Sequence, residues 1–353
     1  MDREELLSAL QSAAPALASR DYIQVFTHFN FDGETVTAYN DLYAIRVPCG
    51  APIDGALKGS TLVGLLSKSN AKELTIEQTE DEVKIHGGVT DLKLPVLSSD
   101  KFLFEFPNHD DTDYSLEITP ELMQGVNNCL ISTVSDPQMP SLMGVHLDFG
   151  SDDTLTVYAT DNDTITRYIV TDIEGLPEAC QDQRVIVPTQ FAKLLSKYIT
   201  GGDGSMVYVT KDYLTVITSN NVEMFCKLVN ADHALDFASL IDQSLDEDAG
   251  WSKMPRSFGN AVDRSTVLYG TGESPVCRME VKADKLYLLT ESNYGQVSDN
   301  MTIRGKHPSI KVSTNPVMLE RVVDKMDHIS IQNICVALAS GKNYLHLIAN
   351  LPD

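Results

Sequence analysis

The chain is poor in several features that define common protein classes. Its 353 residues include six cysteines, and no two of them are spaced as the CxxC pair of a zinc site. We therefore expect no metal ion, and we expect the cysteines to be small, mostly buried residues in a reducing compartment. They stand at positions 49, 129, 180, 226, 277 and 335.

Membrane and secretion signals are also missing. No apolar run approaches the roughly 20 residues that are needed to cross a bilayer. The opening stretch, MDREELLSAL, is acidic at once and lacks the basic start and apolar run of a signal peptide. We expect a soluble, cytoplasmic protein that makes no contact with a membrane.

The sequence offers few candidates for a catalytic site. It has no nucleophile elbow, no HExxH motif and no Cys–His arrangement. Two glycine-rich stretches, 200–205 and 269–274, lack the Gly-Lys-Ser/Thr that cradles phosphates in nucleotide-binding loops. The run 161–164, with Asp152 and Asp153, suggests a cation site but has neither the glycine nor the terminal glutamate of a calcium loop. We expect neither an enzyme nor a cofactor.

Positive charge is scarce in this chain. The 27 Lys and Arg residues oppose 50 Asp and Glu residues, so the formal net charge is −23. Contacts with DNA phosphates require Lys and Arg, so this balance argues against DNA binding if the basic residues are scattered. Their placement along the chain therefore decides whether nucleic acid remains a candidate partner.

An internal repeat organises that placement. The tetrapeptide LLSK occurs at 65–68 and again at 194–197. Around both copies, and in a third segment, apolar residues recur at the i, i+3, i+4, i+7 spacing of one helix face. This spacing selects four residues in each segment, and all of them except Ser69 are apolar. They are Leu62, Leu65, Leu66 and Ser69; Phe191, Leu194, Leu195 and Tyr198; and Leu319, Val322, Val323 and Met326.

Each copy of the repeat also carries basic residues away from its apolar face. Lys68, Lys197 and Lys325 occupy one column, 129 and 128 positions apart (197 − 68 and 325 − 197). A second basic residue lies four positions away in every copy, and such pairs are neighbours on a helix surface. These residues could form ordinary solvated helix faces or, if the chain binds DNA, its DNA-facing surface: Lys68, Lys72, Lys193, Lys197, Arg321 and Lys325.

The rest of the chain follows the same threefold plan. Each third opens with a further helical pattern, and pairs of alternating strands follow every predicted helix. A chain of this length is also too long for one ordinary core. The pattern predicts an α+β fold of three tandem repeats, each with two helices packed on antiparallel sheets. The opening helices are expected at 4–19, 119–133 and 254–266, and the domains at 1–113, 114–247 and 248–353.

Several segments resemble the bacterial DNA sliding clamp family, the beta subunit of DNA polymerase III. Residues 142–168 are similar to the family's Leu-x-Gly stretch, its strands and its Ala-Thr-Asp-Gly-His-Arg-Leu. Residues 184–199 are similar to its Ile-Pro-x-x-x-Leu-x-x-Leu, and 310–326 to its Phe-Asn-x-x-Tyr-Leu-x-x-Val-Leu. Phe-Pro-Asn at 106–108 stands where the first domain of a clamp ends. The matches keep the family's order across all three thirds.

The resemblance implies a DNA clamp fold that forms a ring. Such a clamp is a homodimer that encircles double-stranded DNA topologically, without reading its sequence, and acts as a processivity factor for DNA replication. It tethers the replicative polymerase, which binds a peptide pocket that also serves the clamp loader. The compartment would be the cytoplasm of a bacterial cell or a phage-infected host. Net negative charge is compatible with this role, because only the inner wall needs basic residues.

The resemblance also implies site residues. The peptide-binding positions are Leu142, Thr160, Asn162, Ile165, Leu347, Ala349 and Leu351. The dimer interface would join Phe104 and Phe106 of one chain to Val267 and Leu268 of the other. The chain departs from the family near the pocket, where residues 162–164 replace Gly-His-Arg and residues 350–353 replace Met-Pro-Met-Arg. We therefore expect a different peptide preference or weaker peptide binding.

Two other interpretations stay open at this point. The repeats could build a non-clamp structural or interaction protein, for example of a virus, without any DNA function. A metal-dependent nuclease is the more distant alternative. The native mass distinguishes a viral structural protein from a clamp, because a clamp of three domains forms a closed dimer whereas a structural protein of a viral shell assembles further. Cleavage of DNA with magnesium would identify the second.

Overall fold

The computed structural model describes residues 1–20, 22–134, 138–139, 142–150, 154–171, 173, 176–230, 235–246, 249–269, 275–305 and 307–352. Its helices are α1 (Arg3–Ala13), α2 (Gly59–Lys68), α3 (Pro120–Cys129), α4 (Thr189–Tyr198), α5 (Phe237–Ser244), α6 (Phe258–Val267) and α7 (Pro316–Glu320). Short 3-10 helices cover Ala14–Ala16, Gln24–Thr27, Ser99–Lys101, His109–Asp111, Leu130–Ser132, Glu178–Cys180 and Val323–Lys325.

The strands outnumber the helices. Those of the first half are β1 (His28–Asp32), β2 (Thr35–Tyr39), β3 (Tyr43–Pro48), β4 (Asp54–Lys58), β5 (Thr75–Gln78), β6 (Glu82–Gly87), β7 (Thr90–Pro95), β8 (Tyr114–Glu117), β9 (Val145–Phe149), β10 (Leu155–Thr160) and β11 (Thr164–Val170). Those of the second half are β12 (Arg184–Val187), β13 (Met206–Val209), β14 (Tyr213–Ile217), β15 (Glu223–Lys227), β16 (Ser252–Lys253), β17 (Cys277–Lys282), β18 (Lys285–Ser292), β19 (Gly295–Thr302), β20 (Ile310–Thr314), β21 (His328–Ile331), β22 (Cys335–Ser340) and β23 (Tyr344–Ala349).

The chain divides into two compact units. Unit 1 comprises residues 1–120, 177–180 and 197–228, and unit 2 comprises residues 121–176, 181–196 and 229–353. Unit 1 crosses the boundary expected at 113, and unit 2 crosses the one expected at 247. The three-domain division therefore stays a prediction that rests on the repeat.

Unit 1 contains an eight-stranded antiparallel sheet in the order β4-β1-β2-β3-β15-β14-β13-β8 and a smaller sheet in the order β5-β6-β7. Helices α1 and α2 pack together against β1, β2 and β3. Their apolar faces, Leu6 and Leu10 on α1 with Leu62 and Leu66 on α2, are completely buried. Burial of four such side chains contributes roughly 2 kcal/mol each to the stability of this core.

Unit 2 contains a second eight-stranded antiparallel sheet, in the order β12-β9-β10-β11-β23-β22-β21-β16, and a four-stranded sheet in the order β19-β18-β17-β20. Helix α3 lies close on the larger sheet because its Gly125 has no side chain. A Cβ there would stand 3.0 Å from the Tyr168 ring and 3.1 Å from Val157. Helix α5 packs on the sheet through Phe237 and Ile241, and α6 packs beside α7 and near β18 and β19.

The apolar faces predicted for the three copies are buried, although Leu65 and Tyr198 are only partly so and the third copy is a short α-helix followed by a 3-10 turn. Leu62, Leu66 and Phe191 are buried, as are Leu194 and Leu195, and so is the third set of Leu319, Val322, Val323 and Met326. The opening helices are also present, as α1, α3 and α6. The strand pairs predicted after the three helices are present, and a third strand accompanies each pair: β5, β6 and β7 follow α2, β13, β14 and β15 follow α4, and β21, β22 and β23 follow α7.

The cysteines and the apolar content also agree with expectation. Five of the six cysteines are buried and Cys49 is partly buried, and all six are free thiols. In the part of the chain that the structure describes, no helix combines the length and apolar character needed to cross a membrane.

Candidate functional site

The basic residues of the repeat lie on the surface. Lys68, Lys193, Lys197, Arg321 and Lys325 are all exposed, and so is Lys72. On α4 the prediction of a side-by-side pair is confirmed, because Lys193 and Lys197 stand four residues apart on one continuous helix. The buried positions of the same helix point elsewhere, so both ammonium groups are available to solvent or to a ligand.

Two details of the basic column differ from the prediction. Helix α2 ends at Lys68, because Ser69 adopts an extended conformation with ψ 138°, so Lys72 lies in a non-helical segment and not one turn further along the helix. In the third copy α7 ends at Glu320 and a 3-10 turn follows at Val323–Lys325. Two adjacent β-branched residues, Val322 and Val323, disfavour a continuous α-helix there. Arg321 and Lys325 are therefore not an i, i+4 pair.

The predicted peptide slot lies at one end of the larger sheet of unit 2. Strands β11 and β23 pair so that Ile165 stands opposite Leu347. The register continues past the strands, since the Ala349 amide donates to the Asp163 carbonyl at 2.8 Å. The structure thus brings the predicted residues of β11 and β23 together, although they are 182 positions apart in sequence (347 − 165).

Two of the predicted peptide contacts are internal residues. Leu347 is 3% exposed and belongs to an apolar cluster under α5, with Phe237, Ile241 and Tyr158. Thr160 is also buried, and its hydroxyl donates to the Thr164 carbonyl at 2.7 Å. Both side chains are packed inside the unit, and their contact with a peptide stays a prediction.

The turn between β10 and β11 explains the identity of Asn162. Its φ of 77° lies in the left-handed region, which Asn tolerates better than most residues and which Gly adopts freely. Asp161 closes the same turn, because its Oδ1 accepts from the Thr164 amide at 2.7 Å and from the Thr164 hydroxyl at 2.8 Å. Asn162 therefore retains the backbone role of the glycine that the clamp motif has at this position.

The Leu-x-Gly motif also has a structural reason. Gly144 has φ +79°, and a Cβ on it would lie 2.2 Å from the Val187 carbonyl oxygen. No side chain fits there without moving the backbone, so glycine fixes the approach of residues 142–144 to the sheet. Leu142, two residues earlier, is only partly buried.

Four of the predicted apolar peptide-binding residues and one further apolar residue are partly or fully exposed. They are Leu142, Ile165, Ala349 and Leu351 from the prediction, and Ile334, which the sequence analysis did not include. Ile334 is 55% exposed, and its carbonyl accepts from the Asn350 amide at 2.8 Å. An isoleucine beside the polar Gln332 and Asn333, in the turn between β21 and β22, is unusual, and this signal could have identified it.

The aromatic residues predicted for the dimer interface are engaged inside unit 1. Phe104 stacks on Tyr39 with ring centroids 4.2 Å apart, and it contacts Phe225 at 5.0 Å. Phe106 lies edge-on to Phe104, and the Arg46 guanidinium sits 4.4 Å from the centre of its ring. These contacts argue against Phe104 and Phe106 as interface residues, because both rings already have partners in their own chain.

The third-domain half of that interface is exposed. Val267, the last residue of α6, is 81% exposed. Leu268 lies beside the first residue of β19, since a Cβ on Gly295 would be 3.9 Å from its Cδ2. Strand β19 is the edge of its sheet, and β7 is an edge of the small sheet in unit 1. Edge strands present unpaired backbone N–H and C=O groups, which a second chain can pair.

Buried polar groups form a chain across the larger sheet of unit 2. Ser132 bonds Thr164 at 2.6 Å and Thr166 at 2.8 Å, and Thr166 bonds His346 Nδ1 at 2.8 Å. Burial lowers the pKa of His346 to about 3. Burial, and then the charge of Arg184, lowers the pKa of His146 to about 4. Both imidazoles are therefore neutral near pH 7.

Metal sites find no support in the described residues. Within those ranges, no group of three or more His, Cys, Asp or Glu side chains is arranged to hold a metal ion. The candidate cation site at 161–164 has its Asp161 carboxylate engaged by the turn, and Asp152 and Asp153 lie outside the described residues. The glycine-rich stretch 269–274 lies outside them from residue 270 onward.

Solved structures with this fold are DNA sliding clamps. The DNA polymerase sliding clamp of Bacillus subtilis has a TM-score of 0.85 at 16% identity, covering 100% of this chain and 98% of that one. The DNA polymerase III beta subunit of Thermotoga maritima has a TM-score of 0.83 at 15% identity, with coverages of 100% and 98%. The Helicobacter pylori beta clamp bound to a DNA ligase peptide has a TM-score of 0.83 at 13% identity, covering 100% of this chain and 99% of that one.

These likenesses confirm the predicted α+β clamp fold along the whole chain. No protein-family model and no curated protein sequence matches it. At this level of identity the fold is conserved while most side chains differ, so the function of the chain has to be argued from its own residues.

Proposed function

We propose that the chain is a DNA sliding clamp, a processivity factor that encircles duplex DNA as a ring-shaped homodimer and tethers a replicative polymerase. The observation that carries the proposal is the end-to-end likeness to clamp structures, at a TM-score of 0.85 with 100% of this chain covered. The proposal assigns the chain no catalytic step.

The basic column supports a sequence-independent contact with DNA. Lys68, Lys197 and Lys325 recur at one position of three helix copies in a chain of net charge −23. A lysine ammonium is a mobile, hydrated point charge, which attracts phosphates without the fixed geometry that reads a base edge. The acidic remainder of the chain repels DNA and so favours contact only where these residues cluster.

The homodimer would form through strand edges. Strand β7 of unit 1 and strand β19 of unit 2 each end their sheets, and Val267 and Leu268 add apolar surface beside β19. In a ring-shaped homodimer with a head-to-tail contact, β7 of each chain would pair with β19 of the other. This arrangement replaces Phe104 and Phe106 with β7, whose Leu92 is partly exposed.

The partner peptide of polymerase or clamp loader would lie in the slot around Ile165, Leu351 and Ile334. A neighbour of the same fold was solved with a DNA ligase peptide, and an apolar slot at a strand end suits an extended segment. Asp163 stands at the rim of this slot, beside Ala349. A peptide that carries Lys or Arg next to its apolar anchor would gain from this carboxylate. The site of action would be the cytoplasm of a bacterium or a phage-infected host.

Retention on circular DNA tests the proposal. The protein is loaded by its cognate loader onto nicked circular duplex or onto linear duplex with free ends, and the bound fraction is followed by gel filtration. A clamp stays on the circle at high salt and leaves the linear molecule from its ends. Equal retention on both, or no retention on the circle, would contradict the proposal.

Charge reversal at the basic column gives a matched test. Changing Lys68, Lys197 and Lys325 to Glu removes up to six ammonium groups from a dimer, so the salt slope of DNA binding should fall by as much as roughly 5, at about 0.9 per phosphate. The control changes three exposed lysines outside the column, Lys101, Lys211 and Lys311, to Glu. Equal loss in both triple variants would show that net charge alone matters.

A further inference from the structure

A polar cavity in unit 2 surrounds one member of the basic column. It has a volume of about 630 Å³ and is lined by α3, by the end of the third helix copy and by the turn between β22 and β23. The lining residues are Gln124, Asn128, Tyr168, Lys325 and residues 340–344. Neither Lys68 nor Lys197 lines this cavity, so the third copy of the repeat differs from the first two.

The cavity collects hydrogen-bond donors and positive charge. Lys325 Nζ lies 3.2 Å from Asn128 Oδ1, and Lys342 provides a second ammonium group from the β22–β23 turn. Asn128 is 7% exposed, so its amide is held in place. Because its oxygen accepts from Lys325, its Nδ2 group is the end that can donate to a ligand.

The surrounding carboxylates do not neutralise the two lysines. Within the described residues, neither Lys325 nor Lys342 forms an ion pair with a carboxylate. Glu121, on α3, accepts from Asn343 Nδ2 at 2.9 Å and from the Thr171 amide at 2.6 Å. Glu121 therefore holds the turn in position and is itself satisfied by other donors.

We propose that this cavity binds a phosphate group of the DNA backbone, with Lys325 and Lys342 as its charged contacts and Asn128 as its amide donor. Two ammonium groups and an amide around one space match the phosphodiester of a DNA backbone, which carries one negative charge and offers two non-bridging acceptor oxygens. A chain of net charge −23 repels anions elsewhere, so unpaired cations in a cavity mark a specific place of contact. The inference rests on the proposed clamp function and adds Lys342 and Asn128 to its DNA contacts.

Salt-dependent binding of a short DNA duplex tests this assignment. The variants are Lys342→Gln, which keeps the side-chain stem, and Asn128→Asp, which is isosteric and neutralises Lys325. The control is Lys311→Gln, an exposed lysine on β20 of the same unit. Loss of one phosphate contact should reduce the slope of log K against log salt by about 0.9, which at ~0.15 M salt weakens binding about fivefold.

A second measurement identifies the source of the phosphate. The side-chain amide of Asn128 is followed by NMR while duplex DNA or inorganic phosphate is added. Duplex DNA should shift the Asn128 signal in the wild type and not in Lys342→Gln. Saturation by inorganic phosphate that leaves the affinity for duplex unchanged would overturn the proposal, because the cavity would then hold a free anion away from DNA.

The outcome is distinguishable from failure of the clamp function itself. If the wild type is retained on circular DNA while Lys342→Gln and Asn128→Asp both keep the wild-type salt slope, the cavity assignment fails and the clamp function stands. If the wild type is not retained on circular DNA, the proposed function fails, whatever the variants do. Circular dichroism of each variant confirms that it is folded before its binding is compared.

Discussion

Acid should weaken unit 2 through its two buried histidines. His146 and His346 are 0% and 1% exposed, and burial lowers their pKa values from the ordinary 6.5 to about 4 and about 3. Above pH 6.5 both states of the protein hold these rings neutral, so stability is complete. Below pH 6.5 these histidines become protonated in the unfolded chain but stay neutral in the folded chain. Stability is therefore lost as the pH falls towards the folded pKa values.

The magnitude follows from the size of these shifts. Each histidine costs about 1.4 kcal/mol per pH unit below 6.5, so at pH 5 the loss is roughly 2 kcal/mol for each ring and roughly 4 kcal/mol for both. A domain is typically stable by about 5–15 kcal/mol, which makes this loss easy to measure. His146 is the sharper probe, because neither of its ring nitrogens has a hydrogen-bond partner among the described residues.

Urea unfolding followed by tryptophan fluorescence measures the effect. The single tryptophan, Trp251, belongs to unit 2, so its signal reports on the unit that contains both histidines. We expect His146→Leu to reduce the loss between pH 7 and pH 5 by about 2 kcal/mol. At pH 7 it should be neutral or mildly stabilising, since it removes buried unpaired nitrogens but also the edge-on contact with Phe237 at 4.9 Å.

The control is His328→Gln, a variant of a half-exposed histidine in the same unit. It should lose as much stability as the wild type between the two pH values. A wild type that loses less than about 1 kcal/mol over this range would refute the reasoning, and so would a His146→Leu variant with an unchanged slope. Either result would mean that water or a rearrangement compensates the buried charge.

Two further predictions concern the interfaces. Leu92→Asp or Leu268→Asp should convert the dimer to monomers in light scattering without changing the unfolding of the monomer. The exposed control Leu42→Asp should leave the dimer intact. Phe106→Asp should instead destabilise unit 1, because its ring packs on Arg46 and Phe104. Leu142→Ala should weaken binding of a polymerase peptide about tenfold at constant stability, whereas Leu347→Ala should lower the free energy of unfolding by about 2–5 kcal/mol. Titration calorimetry measures the peptide affinity, and urea curves measure the stability. An unchanged peptide affinity in Leu142→Ala would contradict the proposed slot.

Local periodicity was sufficient to predict the helix faces. The spacing that placed Leu194 and Leu195 inside is a property of the helix itself, and it needs no knowledge of the neighbouring sheet. The ends of the helices were less predictable. Nothing in the letters around Lys68 distinguishes a helix that stops there from one that continues to Lys72, since the stop depends on how Ser69 and the following loop meet α1 and the sheet.

The pairing of distant strands explains why the site was predicted only in part. Alternation along β23 indicates that Leu345 and Leu347 share one face, but it does not reveal that α5 covers this face. A residue on this apolar face is a core residue where α5 covers it, and it is available to a peptide where α5 does not. For that reason Leu347 and Ile165, which stand opposite each other in the sheet, differ in exposure.

The same argument applies to the aromatic residues near the end of the first repeat. Phe104 and Phe106 flank the polar Glu105, a spacing that an exposed strand could also have, yet they contribute to a cluster that also contains Tyr39 and Phe225. Phe225 lies more than a hundred residues later in the chain, and β15 reaches this cluster by pairing with β3. Where a partner is supplied by a remote strand of the same chain, the sequence pattern of an internal contact and that of a subunit interface are identical. A free sheet edge, such as that of β7 or of β19, is the feature that marks a surface still open to a strand of a second chain.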